Sequence, residues 1–298
     1  MSGIKRKNGI PMDASERAVK VFAYIVMGVL GLLALLPILH VASKSVSSAS
    51  AVTAGQVVFW PKGLQFETMR YVLSETTFPR ALWNTFLVAS LGTLISMFVT
   101  ITTAYPLSKP ALKGRRFFLL LYVISMVFFG GIIPAYMVVR TLGIMDTYMA
   151  LILPFFIVQF NMFIVKNYFE GLPDSIEESA CIDGAGDVRI LVDIVCPMST
   201  PVLATVAMLY AVNYWNNYFH AMMYTSSTSM QTLQVFLYNT VSNTQTLVER
   251  LVIGNYKNVS IDGMIAVVVV MSLIPIVLLY PLVQRFMVQG LTVGSVKG

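Results

Sequence analysis

Residues 21–43 read VFAYIVMGVLGLLALLPILHVAS, twenty-three positions without a charged side chain. A helix of ~20 mainly apolar residues crosses the ~30 Å hydrocarbon layer of a bilayer. The stretch is therefore expected to be a membrane span, and Pro37 within it is the kind of breaker that packed helices in lipid tolerate. Five more stretches of this kind follow, at about 83–107, 117–139, 147–165, 201–223 and 263–284, several carrying Pro or paired small residues such as Gly130-Gly131, Pro134 and Pro154. Composition leads to the same class. Hydrophobic residues make up 57% and charged residues 11% of the 298, and the mean hydropathy is +0.75. A soluble domain carries roughly 25% charged residues; this chain is too poor in charge to cover a globule. The expected fold class is an all-α membrane protein with six transmembrane helices, residues 1–298 forming a single transmembrane domain.

The first span raises the question of a cleaved signal, since Ala49-Ser50-Ala51 spells a small-residue cleavage pattern beyond it. About twenty residues precede the run, and it is longer than a secretory h-region. An uncleaved anchor is expected. The net charge of +6 does not form one basic face, which argues against nucleic acid as a partner. Lys and Arg instead flank the apolar runs. Thirteen of the twenty fall on one side of the six spans: Lys5, Arg6, Lys7, Arg17, Lys20, Lys109, Lys113, Arg115, Arg116, Lys166, Arg189, Arg285 and Lys297. By the positive-inside rule, both termini are expected in the cytoplasm. Two segments, 44–80 and 224–262, are then external; the stretch 233–251 reads as a short helix at the outer mouth. Cys181 and Cys196 form no C-x-x-C, and neither His40 nor His220 has a ligand partner at metal spacing. No metal site and no cofactor are expected.

The acids are concentrated. Seven of fourteen lie between positions 170 and 193: Glu170, Asp174, Glu177, Glu178, Asp183, Asp187 and Asp193. Pro173 breaks the incoming helix, and Asp174 with Glu177 three residues on has capping-box spacing. A short helix over 176–183 is expected to stop at Gly184, a C-terminal signal. A second amphipathic stretch, 188–195, leads to Pro197 and Pro201. Asp174 and Glu177 are then explained as caps, and Glu178 is among the acids left without a local role. Read alone, such a loop is equally an acidic connector with no partner.

Glu177-Glu178-Ser179-Ala180-Cys181-Ile182-Asp183-Gly184-Ala185, with Pro197 beyond, resembles the EAA loop of ABC importer permeases. Ser179 stands where that family usually has Ala, and Cys196 where Leu usually precedes the Pro. The resemblance covers nearly the whole chain. Asn84-Thr85, Gly114-Arg115-Arg116, Leu142-Gly143, Asp146-Thr147-Tyr148, Trp215-Asn216, and the tail Gln289-Gly290-Leu291-Thr292 ending Val296-Lys297-Gly298 are similar to the sugar branch. That branch is of the maltose-type second permease, and Phe129-Gly130-Gly131 with Ile133-Pro134 is closer to its complex-oligosaccharide members.

The resemblance implies a type I ABC importer permease fold with an EAA coupling loop at about 170–200. It implies a heterodimer with a second, homologous permease, an ATPase dimer on the cytoplasmic face and an extracytoplasmic solute-binding protein. Glu178, Ser179, Ala180, Asp183, Gly184, Ala185 and Pro197 would form the ATPase-coupling element. Glu178 would pair with a basic residue of the ATPase, while Ala180 and Gly184 would allow close approach. ATP-driven closure of the ATPase would favour an outward-facing cavity. Gly290, Leu291 and Thr292 would lie in a tail reaching the ATPase. The chain has no G-x-x-x-x-G-K-[ST] loop, so it is expected to be non-catalytic, hydrolysis belonging to the partner. For the solute path, the amides and aromatic rings of Asn213, Trp215, Asn216 and Tyr218, with Asn161 in span four, suit a carbohydrate. Interface anchoring and helix–helix bonding explain the same residue types.

Two rival classes fit less well. An ion-coupled carrier usually keeps ionisable residues within its spans, and the central parts of these six have no Asp, Glu, Lys or Arg. Gly184-Ala185-Gly186-Asp187 spells the G-x-G-D of intramembrane aspartyl proteases, but no second Asp lies inside a span. Within the permease class, a non-sugar solute is the alternative, because the EAA pattern alone does not separate substrates.

Overall fold

A computed structural model describes residues 13–128 and 130–294, without the side chains of Ala14, residues 279–280 and residues 282–294. Among the described residues every regular element is helical. They run in order α1 (Ala14–Ser45), α2 (Ala49–Thr53), α3 (Glu67–Ser74), α4 (Phe78–Ser108), α5 (Arg115–Val127), α6 (Ile132–Thr141), α7 (Tyr148–Ile152) and α8 (Gln159–Glu170). Then follow α9 (Asp174–Ile182), α10 (Asp187–Ile190), a π-helical turn (Leu191–Val195), α11 (Cys196–Met198), α12 (Thr200–Trp215) and α13 (Phe219–Tyr224). The last are α14 (Leu233–Ser242), α15 (Thr244–Ile253) and α16 (Ile261–Gly294).

Among the described residues three helices are long and apolar enough to cross a membrane: α1, α4 and the 261–278 part of α16. The other three expected spans are each broken in two. α5 and α6 meet at 114°, α7 and α8 at 52°, and the α10–α11 segment meets α12 at 85°; counting each pair as one span gives up to six. The breaks fall around Gly130-Gly131, after Pro154 and at Ser199, where small residues or Pro weaken the helical ladder. The expected span 201–223 also ends early, α12 stopping at Trp215. The single helix expected over 233–251 is two, separated at Asn243, whose amide closes the end of α14 on the Asn239 carbonyl.

The chain divides into two compact units. One comprises the N-terminal residues through Ser74 and residues 244–270. In it, α1 presents an apolar surface along most of its length. The end of α1 is tied to the segment after α2: Ser43 Oγ donates to the Phe59 carbonyl at 2.6 Å, and the Lys62 amide donates to Ser47 Oγ at 3.1 Å. Tyr71 of α3 meets Tyr256 edge to face, centroids 4.6 Å apart.

The second unit, residues 75–243 and 271 onward, is built on α4. Gly92, Ser96, Thr100 and Ala104 repeat every fourth position and are buried. This stripe receives α12. Tyr214 Oη is 2.9 Å from Ser96 Oγ, and Tyr210 Oη is 2.8 Å from Thr100 Oγ1. Small residues let helices approach closely, and hydroxyl pairs hold them together in lipid. The approach is tightest at Gly92, where an added Cβ would lie 2.7–2.9 Å from the Tyr214 ring. That ring is pinned by Ser96 and by a bond to the Ile152 carbonyl. Gly92→Ala is therefore expected to cost roughly 1–3 kcal/mol, as overpacking does. Thermal unfolding in detergent checks this: Tm should fall, and adding Tyr214→Phe should leave most of the loss in place because the ring remains.

Candidate functional site

The acidic segment begins with α9, nine residues after Pro173. The expected capping box is absent. Pro173, extended at φ −64° and ψ 123°, holds the cap position, so the helix starts one residue earlier than its acids suggest. Asp174 is the first helical residue and makes no cap bond; its charge still lies near the positive end of the helix. Glu177 reaches Lys109 instead, its carboxylate bound by Nζ. The stop at Gly184 is as expected. Gly184 adopts φ +79°, a left-handed conformation natural to glycine. Its amide donates to the Cys181 carbonyl and that of Ala185 to the Ala180 carbonyl, both at 3.0 Å. Together these form a Schellman closure.

The residues of this segment face different ways. Glu178, Ser179, Asp183 and Gly184 are exposed, Ala185 is half-buried and Pro197 exposed. Ala180 is buried within the chain. Glu178 makes no hydrogen bond or ion pair among the described residues. Beside it stand two apolar residues that the acidic reading passed over, Ile182 at 87% and Val188 at 76% exposure. Their only signal in the sequence is their position on either side of a glycine turn. The exposed residues of α9 and its turn thus combine two apolar side chains, Ile182 and Val188, with the acids Glu178, Asp183 and Asp187.

The inner face is held by Lys109, and two more cations counted above for topology form ion pairs on the adjoining helices. Besides Lys109–Glu177, Arg115 pairs with Glu170, and Lys166 meets the same carboxylate at 2.7 Å. Arg115 Nε also donates to the Leu107 carbonyl at 2.8 Å. Lys109 Nζ stands 4.8 Å from the centroid of the Tyr105 ring. Beyond α9, the stretch 188–195 is an α-turn followed by a π-turn, not one amphipathic helix. Pro197 falls in the first turn of α11 and Pro201 in that of α12, where the missing N–H has no intrahelical role.

The residues expected along a solute path are not gathered at one point. Asn161 is buried on α8. Trp215 is buried on α12, and its indole N–H has no partner among the described residues. Asn213 and Asn216 are exposed. Asn216 receives a long bond from Gln234 Nε2 at 3.5 Å, and Tyr218 donates to Met222 Sδ at 2.9 Å with its ring 4.9 Å from Tyr238. Asn216, Tyr218, Gln234 and Tyr238 thus form a polar-aromatic patch just past the end of α12. Gly290, Leu291 and Thr292 fall in α16 with side chains outside the described residues; Val296, Lys297 and Gly298 lie wholly outside the described residues. His220 sits against Phe155, centroids 4.4 Å apart, and no group of three or more His, Cys, Asp or Glu able to hold a metal occurs among the described residues.

At the other end of α4 the segment 226–233 is stitched down. Asn84, 1% exposed, donates to the carbonyls of Ser229 and Gln231, both at 2.9 Å, and accepts from Tyr148 Oη at 2.8 Å. Thr85 Oγ1 accepts from the Leu233 amide at 2.8 Å. Asp146, at φ 59°, accepts from the Ser226 and Ser227 amides at 3.0 Å. Hydrogen bonds from the Ser227 backbone and side chain hold its carboxyl below the ordinary 3.8.

A family model for the binding-protein-dependent transport system inner membrane component matches residues 14–293. The chain belongs to that family. This inner membrane component is similar to the protein LplC of Bacillus subtilis (strain 168), 40% identical over 240 residues, or 80% of this chain and 81% of LplC. It is 37% identical to the polygalacturonan/rhamnogalacturonan transport system permease protein YtcP of the same organism, over 85% of this chain and 89% of that one. A crystal structure of a bacterial ABC transporter involved in the import of the acidic polysaccharide alginate contains a chain that superposes with TM-score 0.85 at 33% identity. The match covers 92% of the inner membrane component and 98% of that chain.

Proposed function

We propose that this inner membrane component is the non-catalytic permease subunit of an ATP-driven carbohydrate importer, taking an oligosaccharide from an extracytoplasmic binding protein. It would cross the membrane six times as one permease domain with both termini cytoplasmic, and pair with a second, homologous permease. The observation that carries this reading is the outer face of α9. A short acidic helix, closed by Gly184 and fastened from behind, offers Glu178, unpaired among the described residues, beside Ile182. Helix-in-groove recognition suits such a face, and an ATPase dimer is the partner it fits. Ser179, Asp183, Gly184 and Ala185 complete that contact, Pro197 sets the chain's exit from it, and Gly290, Leu291 and Thr292 form a second one.

A carbohydrate is supported by the relatives, whose names include polygalacturonan, rhamnogalacturonan and arabinooligosaccharide transport. The Asn216–Tyr218 patch supplies amide and ring surfaces of the kind a sugar uses, and Asn213, Trp215 and Asn161 are the further candidates along the path, the last two buried in this structure. Uptake of labelled trigalacturonate by membrane vesicles containing the whole complex tests the reading. It should stop without internal ATP and survive an uncoupler. Uptake that collapses with the ion gradient instead would make the protein a secondary carrier, and ATP-driven uptake of amino acids but no oligosaccharide would remove the carbohydrate assignment.

A further inference from the structure

We infer that Lys109 and Glu177, backed by Arg115, Lys166 and Glu170, are positioning residues that fasten α9 to the end of α4, so that a force on α9 moves α4 with it. The inference rests on α9 being the element that meets the ATPase. A helix of nine residues is too short to hold its own shape or direction in water. What fixes it must come from its neighbours.

The charges converge from four helices. Lys109 caps the end of α4, Arg115 opens α5, Lys166 and Glu170 close α8, and Glu177 lies in the first turns of α9. Arg115 bridges two of these ends, since it binds Glu170 and satisfies the Leu107 carbonyl of α4's last turn, a group that a helix end leaves without an internal partner. An isolated surface ion pair contributes little. These are partly withdrawn from water, the side chains of Glu177 and Lys166 being 20% and 9% exposed; Arg115 and Lys166 share Glu170, and Arg115 ties that set to the last turn of α4, next to Lys109. Tyr105 adds a ring face beneath Lys109.

Successive helical residues point about 100° apart. Glu177 therefore turns inward to Lys109 while Glu178 turns outward. Two adjacent glutamates divide the labour, one holding the helix and the other meeting the partner.

The test uses the complete complex with Cys181 and Cys196 replaced by Ala, and spin labels on Ser175→Cys of α9 and Thr102→Cys of α4, both exposed positions. Pulsed electron spin resonance measures their separation without nucleotide and with Mg-ATP plus vanadate. The unmutated pair should give one narrow distribution that is the same in both states. Glu177→Lys should broaden it about twofold, as a released helix samples more positions, and make it shift with nucleotide. The double exchange Lys109→Glu/Glu177→Lys should restore the narrow form, a recovery that general loss of structure would not give. Should Glu177→Lys fail to assemble, Glu177→Gln removes the charge at nearly constant size and should broaden the distribution in the same direction. A narrow, nucleotide-independent distribution in the single variants, or no recovery in the exchange, overturns the inference. Failure of the docking reading looks different: the ATPase would co-purify unchanged with Glu178→Lys, while the nucleotide-free distances would still report the fastening.

Discussion

Glu178→Lys should release the ATPase and abolish uptake while the protein still inserts and folds. The carboxylate is exposed and makes no hydrogen bond or ion pair among the described residues, so the folded chain loses little; surface changes of this kind stay within ~0.5 kcal/mol. The proposed interface loses much more. Truncating one partner of a buried charge pair costs about 2–5 kcal/mol, and reversal adds repulsion from the cation it faced. At ~1.4 kcal/mol per tenfold, binding should weaken by roughly thirtyfold to several thousandfold. Co-purification of the ATPase with tagged permease measures this directly. Glu177→Lys serves as the contrast, since it should disturb the position of α9 without removing the docking charge. Full retention of the ATPase with normal uptake in Glu178→Lys would end the coupling role given to this residue.

The second large effect is expected far from α9. Asn84→Leu should lower Tm and, with it, the amount of functional complex. Asn84 uses both amide hydrogens and its oxygen at once, on the Ser229 and Gln231 carbonyls and the Tyr148 hydroxyl. Leucine fills the space but takes this donor from both Gln231 and Ser229, the latter still bound by Arg80 Nε, 3.0 Å away. An unsatisfied group of this kind costs about 1–3 kcal/mol. Asn84→Asp separates bonding from size. It keeps an acceptor for Tyr148 and places negative charge against two carbonyls, so its Tm should fall at least as far as that of the leucine variant. If aspartate is tolerated and leucine is not, packing rather than hydrogen bonding governs the site.

Much of this was legible from the residues, unevenly. The helices α1, α4 and α16 follow from unbroken apolar runs. The broken pairs do not, because hydropathy registers that a segment is apolar and not that it bends: Gly130-Gly131 and Pro154 look the same in a straight span as at a corner. The turn at Gly184 was readable because only local backbone geometry decides it. The capping box failed for the opposite reason. Glu177 had a partner sixty-eight residues earlier in the chain, and a distant cation outcompeted the local amide. Lys109 and Arg115 looked like orientation signals because charge counting assigns them a side and not a neighbour. Ile182 and Val188 could be picked out only once their exposure was known.

The stripe of Gly92, Ser96, Thr100 and Ala104 limits how the two helices it joins can move. Sliding α12 along α4 by one turn, ~5.4 Å, would carry both tyrosine hydroxyls off their partners together and drive the Tyr214 ring over a different backbone atom of α4. A pivot about Gly92 is resisted as well, because the Ser96–Tyr214 and Thr100–Tyr210 bonds lie one and two turns away from it. The pair is a keyed joint, locked against translation and tilt alike. Any stroke delivered to one helix must therefore carry the other with it as a single body.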